Sequence, residues 1–160
     1  MSALTGAQLE ALRRLDACTL ANAIETFQER LRNEGFVDHT VRSLFPEFAP
    51  MVGYAATVRI RGSSPPVAGG PYSDRTDWWD YVDSLPKPRV IVLQDIAAKP
   101  GLASLVGEVH MTILRALSCV GVVTNGAVRG RNVAHRSIGD DTYAAQGAQD
   151  RHINFTDQRR

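Results

Sequence analysis

The N-terminal part of the chain has hydrophobic residues at helical spacing. Thr5, a residue type that often caps helices, precedes them. The apolar positions that share this spacing are Leu9, Leu12, Leu15, Leu20, Ala23 and Ile24. The periodicity predicts a helical segment over residues 5–31, which can break near residues 17–19 and ends before the turn at residues 33–35.

Three apolar segments further along the chain have the character of β-strands. In "YAATVRIRG", Val58 and Ile60 alternate with two arginines, as in a strand with one buried face. "RVIVLQD" is an almost continuous apolar run, which is typical of a buried strand. "CVGVVTNGAV" is rich in valine until it reaches Asn125-Gly126, a dipeptide that favours turns. These patterns predict three strands.

Two helices are predicted around these strands. "TDWWDYVDSL" has Thr76 and Asp77 as candidate caps, and a second helix is predicted from about Gly107 to Ser118. We expect the inner face of this second helix to carry Val109, Ile113, Ala116 and Leu117. Strand, helix and strand in succession indicate a mixed α/β domain. The pattern weakens after residue 131, where neither period is clear.

Length and composition narrow the class of protein. The 160 residues suit a single domain over residues 1–160, and a net charge of +1 gives no sign of nucleic-acid binding. The apolar runs are far shorter than the ~20 residues that cross a bilayer, and the first residues lack a secretory pattern. We therefore expect a cytoplasmic protein without membrane partners. Cys18 and Cys119 stand in separate apolar stretches, which favours buried, reduced thiols over a disulfide.

One pair of segments is suited to binding an anion. The amides of Glu108, Val109 and His110 would begin the helix after Gly107, and such amides lack partners within the helix. Arg129 follows about one helix, one turn and one strand later, a spacing that can bring its guanidinium to the same pocket. The alternative is a structural helix start with a surface arginine.

The same residues resemble a known family. The stretch "GLASLVGEVHMTILRALSCVGVVTNGAVRG" is similar to the core of the RraA-like proteins, with Gly-Glu at 107–108 and Gly-Ala-Val-Arg at 126–129 at the family's spacing. "LDACTLANAIETFQERLRNEGF" and "GYAATVRIRG" are similar to the N-terminal half of one branch. The family includes 4-hydroxy-4-methyl-2-oxoglutarate aldolases, oxaloacetate decarboxylases and the regulator of ribonuclease E activity. The resemblance covers roughly residues 9–133.

The resemblance implies a fold, a site and a cofactor. The fold is a swivelling β/β/α domain that assembles as a homotrimer or a hexamer, with sites between subunits. Gly107, Glu108, Val109, His110 and Arg129 would bind a small α-keto acid, with Arg129 and Glu108 as catalytic residues. A divalent metal, Mg²⁺ or Mn²⁺, would stabilise the enolate of pyruvate formed by carbon–carbon cleavage.

This sequence departs from the family at two places. The family has a metal-positioning aspartate directly after the arginine, and this chain has Gly130. Because glycine offers no oxygen ligand from a side chain, we expect weakened catalysis and no certain metal residue. The part after about residue 133 matches poorly and looks truncated, and an unpaired sheet edge there would need covering by association.

Two classes of function follow from these observations. The first is a metal-dependent lyase, of the class II aldolase or decarboxylase type, that acts on short α-keto diacids and releases pyruvate. The second is a non-catalytic regulatory member of the same family that acts through protein contacts, such as a ribonuclease E regulator. Glu108 is then either an acid–base group or a first-turn residue favoured by the helix dipole. Asp95 either lines the pocket or caps a turn.

Overall fold

The chain folds around a five-stranded sheet with helices before and between its strands. The computed structural model describes residues 3–29, 31–37, 39, 41–61, 64, 76–101 and 104–129, and the backbone of 143–146. The helices are α1 Gly6–Arg13, α2 Ala17–Glu25, α3 Thr76–Ser84 and α4 Glu108–Ala116. The strands are β1 Arg42–Ser43, β2 Tyr54–Ile60, β3 Arg89–Asp95, β4 Cys119–Thr124 and β5 Tyr143–Gln146.

Most of the sheet is parallel. The strand order is β1-β5-β4-β3-β2, in which β2, β3, β4 and β5 pair in parallel and β1 pairs antiparallel with β5. Parallel neighbours need a crossover connection, and α3 and α4 lie in the connections that lead to β3 and β4. The mixed α/β class predicted from the order of elements is confirmed, and the chain forms a single domain.

The core lies between one face of the sheet and the helices α3 and α4. Ala56, Ile91 and Val122 face it from three adjacent strands, and each is at most 1% exposed. Val82 from α3 and Leu114 from α4 pack into the same cluster. The side chains that alternate with these strand residues face the other side of the sheet, where Val92 is 36% exposed. Trp78 and Trp79 pack at the margin of the core.

The predicted N-terminal helix is two helices. Thr5 caps α1 through a capping box with Gln8, as its position in the sequence indicated. The break falls just before the expected place because Asp16 caps a second helix, with its carboxylate accepting a 2.7 Å hydrogen bond from the Thr19 amide. That bond lowers the pKa of Asp16. Neither α1 nor α2 has a buried residue.

The inner face of α4 differs from the predicted one. His110, Met111 and Leu114 are its buried residues, whereas Val109 is 73% exposed and Ala116 is also exposed. The prediction was wrong for Val109 and Ala116, because it set the phase of the helix from aliphatic residues alone and left out His110. Ile113 and Leu117 are half-buried, and Leu117 packs against the core. The strands β1 and β5 were also missed, because two-residue and four-residue strands carry too little alternation to be detected.

A buried arginine joins the ends of α3 and α4. Arg89, at the start of β3, is 1% exposed. Its guanidinium donates to the carbonyls of Asp83 and Leu85 at the end of α3, and to the carbonyl of Leu117 at the end of α4. The Asp83 carboxylate, 59% exposed, lies 3.0 Å from Nη1. The charge is therefore satisfied mainly by helix C-terminal carbonyls, where a cation is favourable.

We predict that Arg89→Met lowers the free energy of unfolding by about 3 kcal/mol or more, because each buried carbonyl left without a donor costs about 1–3 kcal/mol. Asp83→Asn is the matched control and should cost less than about 1 kcal/mol, since that ion pair is largely solvated. Urea denaturation followed by circular dichroism measures both. Equal losses in the two variants would contradict the role given to the carbonyls.

The two cysteines are both free, and they differ in exposure. Cys119 is buried as expected, but Cys18 lies on the exposed α2 and corrects the expectation that both thiols are buried. It is exposed because α2 has no buried face in the described structure. Burial raises the pKa of the Cys119 thiol to about 11, although the nearby Arg89 charge opposes the shift. A neutral, buried thiol is a poor nucleophile.

A chromogenic disulfide reagent at pH 8 should therefore titrate Cys18 rapidly in the native protein and Cys119 only after unfolding. The Cys18→Ser variant should show almost no fast reaction, and the Cys119→Ser variant should keep it. Fast labelling of Cys119 in the folded Cys18→Ser protein would disprove this assignment.

No helix within the described residues combines the length and the apolar character that crossing a membrane requires.

Candidate functional site

Two backbone segments meet beside the N-terminus of α4. Val106, directly before the N-cap Gly107, forms a parallel bridge with Val128, directly before Arg129. The Arg129 amide donates a 2.8 Å hydrogen bond to the Val106 carbonyl. Both valines are at most 4% exposed, which anchors the two segments in the core. The pairing brings Gly107 and Arg129 to the same place, as their spacing in the sequence predicted.

The Arg129 side chain lies directly against Gly107. A Cβ atom placed on Gly107 would be 3.2 Å from Nε and 3.2 Å from Nη2 of the guanidinium. A side chain at position 107 would therefore press on Arg129, and glycine allows the close approach. Arg129 is an exposed residue, so this contact lies at the surface of the protein.

The start of α4 offers backbone donors at this point. Gly107 has extended backbone angles, φ −147° and ψ −173°, and provides no side chain to cap the helix. Its carbonyl accepts the first helical bond, from the Met111 amide at 2.9 Å. The first-turn amides at residues 108–110 carry the positive end of the helix dipole. A guanidinium fork beside such amides is suited to a carboxylate.

The other predicted site residues take different positions. The Glu108 side chain is exposed on the first turn of α4, and Val109 is exposed beside it. His110 is 9% exposed and turns into the protein, where its ring centroid lies 4.6 Å from that of Trp79. The backbone of these three residues therefore starts α4 beside Arg129, and the Glu108 side chain is exposed on the same turn. Gly130 lies outside the described residues.

Two polar residues at the carboxyl ends of β3 and β4 are joined by hydrogen bonds. The Asn125 side chain accepts a 2.7 Å hydrogen bond from the Asp95 amide and donates a 3.1 Å bond to the Asp95 carbonyl. The Asp95 carboxylate, 2% exposed, accepts from the amides of Ala97 at 3.0 Å and Gly101 at 2.9 Å. Of the two alternatives for Asp95, capping a turn is the one observed.

The role of Asn125 was missed in the sequence, where it was taken only as part of a turn. The available signal was its position, since Asp95 ends one predicted strand and Asn125 lies where the next predicted strand ends. Gly126 follows Asn125 in this turn. A Cβ there would lie 3.2 Å from the Thr124 Oγ1, a tight contact that glycine avoids, and 3.4 Å from the Asp95 Cβ, an ordinary van der Waals distance.

An open cavity of about 660 Å³ lies on the other face of the sheet. Its lining includes Phe36, Val37, Arg59, Val92 and Asn125. None of the residues 107–110 and 129 borders it, and its walls are mainly apolar. The chemistry gathered at the start of α4, rather than the volume of this cavity, identifies the candidate site.

Comparisons with known proteins bear on the family and the fold. The sequence profile of the RraA-like family, described as Aldolase/RraA, matches residues 17–146, which include all five predicted site residues. A comparison with curated proteins gave no match.

Three solved structures share the fold. One, from Streptomyces coelicolor, is described as RraAS2, an unusual member of the RNase ES inhibitor RraA protein family, with a TM-score of 0.62, 16% identity and coverage of 94% of this chain and 68% of that one. An uncharacterized protein from Pseudomonas syringae pv. tomato str. DC3000 has a TM-score of 0.60, 19% identity and coverage of 94% and 61%. A structure titled as novel cellulases from microbes associated with the gut ecosystem has a TM-score of 0.70, 14% identity and coverage of 95% and 63%.

The chain thus spans between 61% and 68% of the length of these three proteins. At such low identities the likeness concerns the fold. The family match covers most of the sequence, including both segments that meet at Gly107 and Arg129. The chain belongs to the RraA-like, or Aldolase/RraA, family.

Proposed function

We propose that this protein binds a short α-keto acid between Arg129 and the start of α4, and that it is a carbon–carbon lyase of low activity. The substrates would be α-keto diacids such as oxaloacetate or 4-hydroxy-4-methyl-2-oxoglutarate, and the shared product would be pyruvate. The observation that carries the proposal is the Arg129 guanidinium lying against the N-cap Gly107. Family membership supports it, since the family description includes aldolases.

In this proposal the α-keto acid is held by its C1 carboxylate. Arg129 would bind the two carboxylate oxygens as a fork, and the amides of residues 108–110 would face the same group or the adjacent ketone oxygen. The Val106–Val128 bridge supports this arrangement, because it joins the backbones of the two segments that carry the donors. Preorganised donors stabilise negative charge without a reorganisation cost at the moment of reaction.

The same donors would support cleavage. In the decarboxylation of oxaloacetate the C3–C4 bond breaks, carbon dioxide leaves, and the bonding electron pair becomes the enolate of pyruvate. Arg129 and the first-turn amides would stabilise the enolate oxygen. A proton must then be added at C3, and Glu108 is the candidate carrier because its carboxyl group is exposed on the first turn of α4. Its position equally suits the helix dipole, so its role needs a test.

The residues described do not fit a metal site. No group of three or more His, Cys, Asp or Glu side chains that could hold a metal ion occurs in the described ranges. The Asp95 carboxylate is already bound by two backbone amides, which leaves Glu108, among the described residues, as the acidic residue nearest Arg129 in sequence. The Mg²⁺ or Mn²⁺ expected from the resemblance is therefore not used in any step above.

A regulatory protein is the second candidate. Three apolar side chains in the N-terminal part are largely exposed, Phe27 at 69%, Leu31 at 65% and Phe36 at 71%. Contiguous exposed apolar surface marks sites that bind other proteins, and these three side chains fall within ten positions of the chain. One protein of similar fold is described as a member of an RNase inhibitor family.

In either role we propose a homotrimer or hexamer in the cytoplasm.

Binding of oxalate tests the site directly. Oxalate resembles the planar C1–C2 part of an α-keto acid, and we predict that Arg129→Ala weakens its binding about tenfold or more, since a hydrogen bond to a charged group contributes ~1.5–3 kcal/mol. Arg115→Ala, at the opposite end of α4, is the matched control and should retain the wild-type affinity. Isothermal titration calorimetry measures the three affinities. An unchanged affinity in Arg129→Ala would place the carboxylate elsewhere.

Restoring an acid after Arg129 tests the lyase assignment. We predict that Gly130→Asp raises oxaloacetate decarboxylation in the presence of Mg²⁺ by a factor on the order of 10². The binding of oxalate without metal should stay the same or fall slightly, because a negative charge is added. Pyruvate release is assayed with Mg²⁺ and with EDTA, and Gly130→Asn serves as the uncharged control. Brisk wild-type turnover that the aspartate does not increase would show that another acid holds the metal.

A further inference from the structure

The site depends on two loops that leave neighbouring strands at the same edge of the sheet. The first loop runs from the end of β3 to Gly107, and the second runs from the end of β4 to Arg129. Backbone pairing between β3 and β4 ends at Leu93 and Thr124. The two loops meet again through their backbones at the Val106–Val128 bridge, and Asp95 and Asn125 lie between these two points along the chain.

Asn125 extends the pairing past the last backbone pair. Its amide group makes two hydrogen bonds to the backbone of Asp95, accepting at 2.7 Å and donating at 3.1 Å. These two hydrogen bonds take the place of one further backbone pair between β3 and β4. Two bonds to one residue fix both the distance and the orientation of the Asn125 side chain relative to Asp95. Asn125 is itself exposed, so it holds Asp95 through these hydrogen bonds and not through burial of its side chain.

Asp95 also binds the backbone of the first loop. Its carboxylate, 2% exposed, binds the amides of Ala97 and Gly101, which fixes the loop as it leaves β3. Gly101 has φ +86°, a backbone conformation that favours glycine, and its Cβ position would lie 3.9 Å from the Ala127 amide nitrogen. Gly126 lies against the Asp95 Cβ. Asp95 is therefore in contact with both loops.

We infer that Asn125 and Asp95 are positioning residues of the α-keto acid site, which set the placement of Arg129 relative to Gly107. The inference rests on the proposed function. Neither side chain is part of the Arg129–Gly107 contact, so both act through the backbone that they hold. Their loss displaces the guanidinium from the first-turn amides, and a ligand that needs both donors together then binds more weakly.

A double-mutant cycle separates this role from a general contribution to stability. Oxalate affinity is measured by calorimetry for the wild type, Asn125→Ala, Arg129→Ala and the double variant, with titrations extended to high oxalate concentration. We expect Asn125→Ala to weaken binding about fivefold in the wild-type background and less than about twofold in the Arg129→Ala background, because residues that act through one another are not additive. Asn22→Ala, on the exposed α2, is the matched control and should bind as the wild type does.

A structural role alone would lower the melting temperature without this coupling. If Asn125→Ala does not fold, Asn125→Ser is used in the same cycle, since serine is well tolerated in turns. If Asn125→Ala weakened oxalate binding equally in both backgrounds, the inference would be overturned and the proposed function would stay intact. The same holds if Arg129→Ala weakened oxalate binding but Asn125→Ala did not. A wild-type protein that does not bind oxalate, or that binds it without Arg129, would overturn both.

Discussion

The parallel pairing of β3 with β4 is the constraint on which the rest of the structure depends. Two parallel neighbours cannot be joined by a hairpin, so the chain must return along the length of the sheet, and α4 makes that return. The N-terminus of α4 then lies at the edge where both strands end. This geometry brings a helix start, with its amides, to the segment that follows β4, and Arg129 lies on that segment.

Several local contacts turn this general arrangement into a specific site. The bridge between Val106 and Val128 brings the two key segments together, and the absence of a side chain at Gly107 lets the guanidinium lie against the backbone. At the opposite ends of the strands, Arg89 at the start of β3 binds carbonyls at the ends of α3 and α4. The two helices that cover the core are thus fixed to the sheet at the end remote from the site.

The proposed chemistry uses a small set of groups. A carboxylate receptor needs donors that are fixed before the ligand arrives, and in the proposed site these are the amides at the start of α4 and Arg129. Efficient cleavage would need a further stabiliser for the enolate, which the aspartate expected from the resemblance would help to supply and Gly130 does not. The proposed site thus suits recognition better than turnover.

The sequence by itself determined the central elements and the principal pair of the site. Strong apolar runs predicted β3 and β4. The spacing from Gly107 to Arg129 predicted that these two residues lie close together, because a strand–helix–strand unit has few possible geometries. The tertiary structure decided what depends on contacts between distant segments. These are the turn of His110 toward Trp79, the exposure of Val109, and the two-point bond of Asn125 to Asp95. Periodicity gives the faces of a helix but not which neighbour will cover one of them, and only packing decides that.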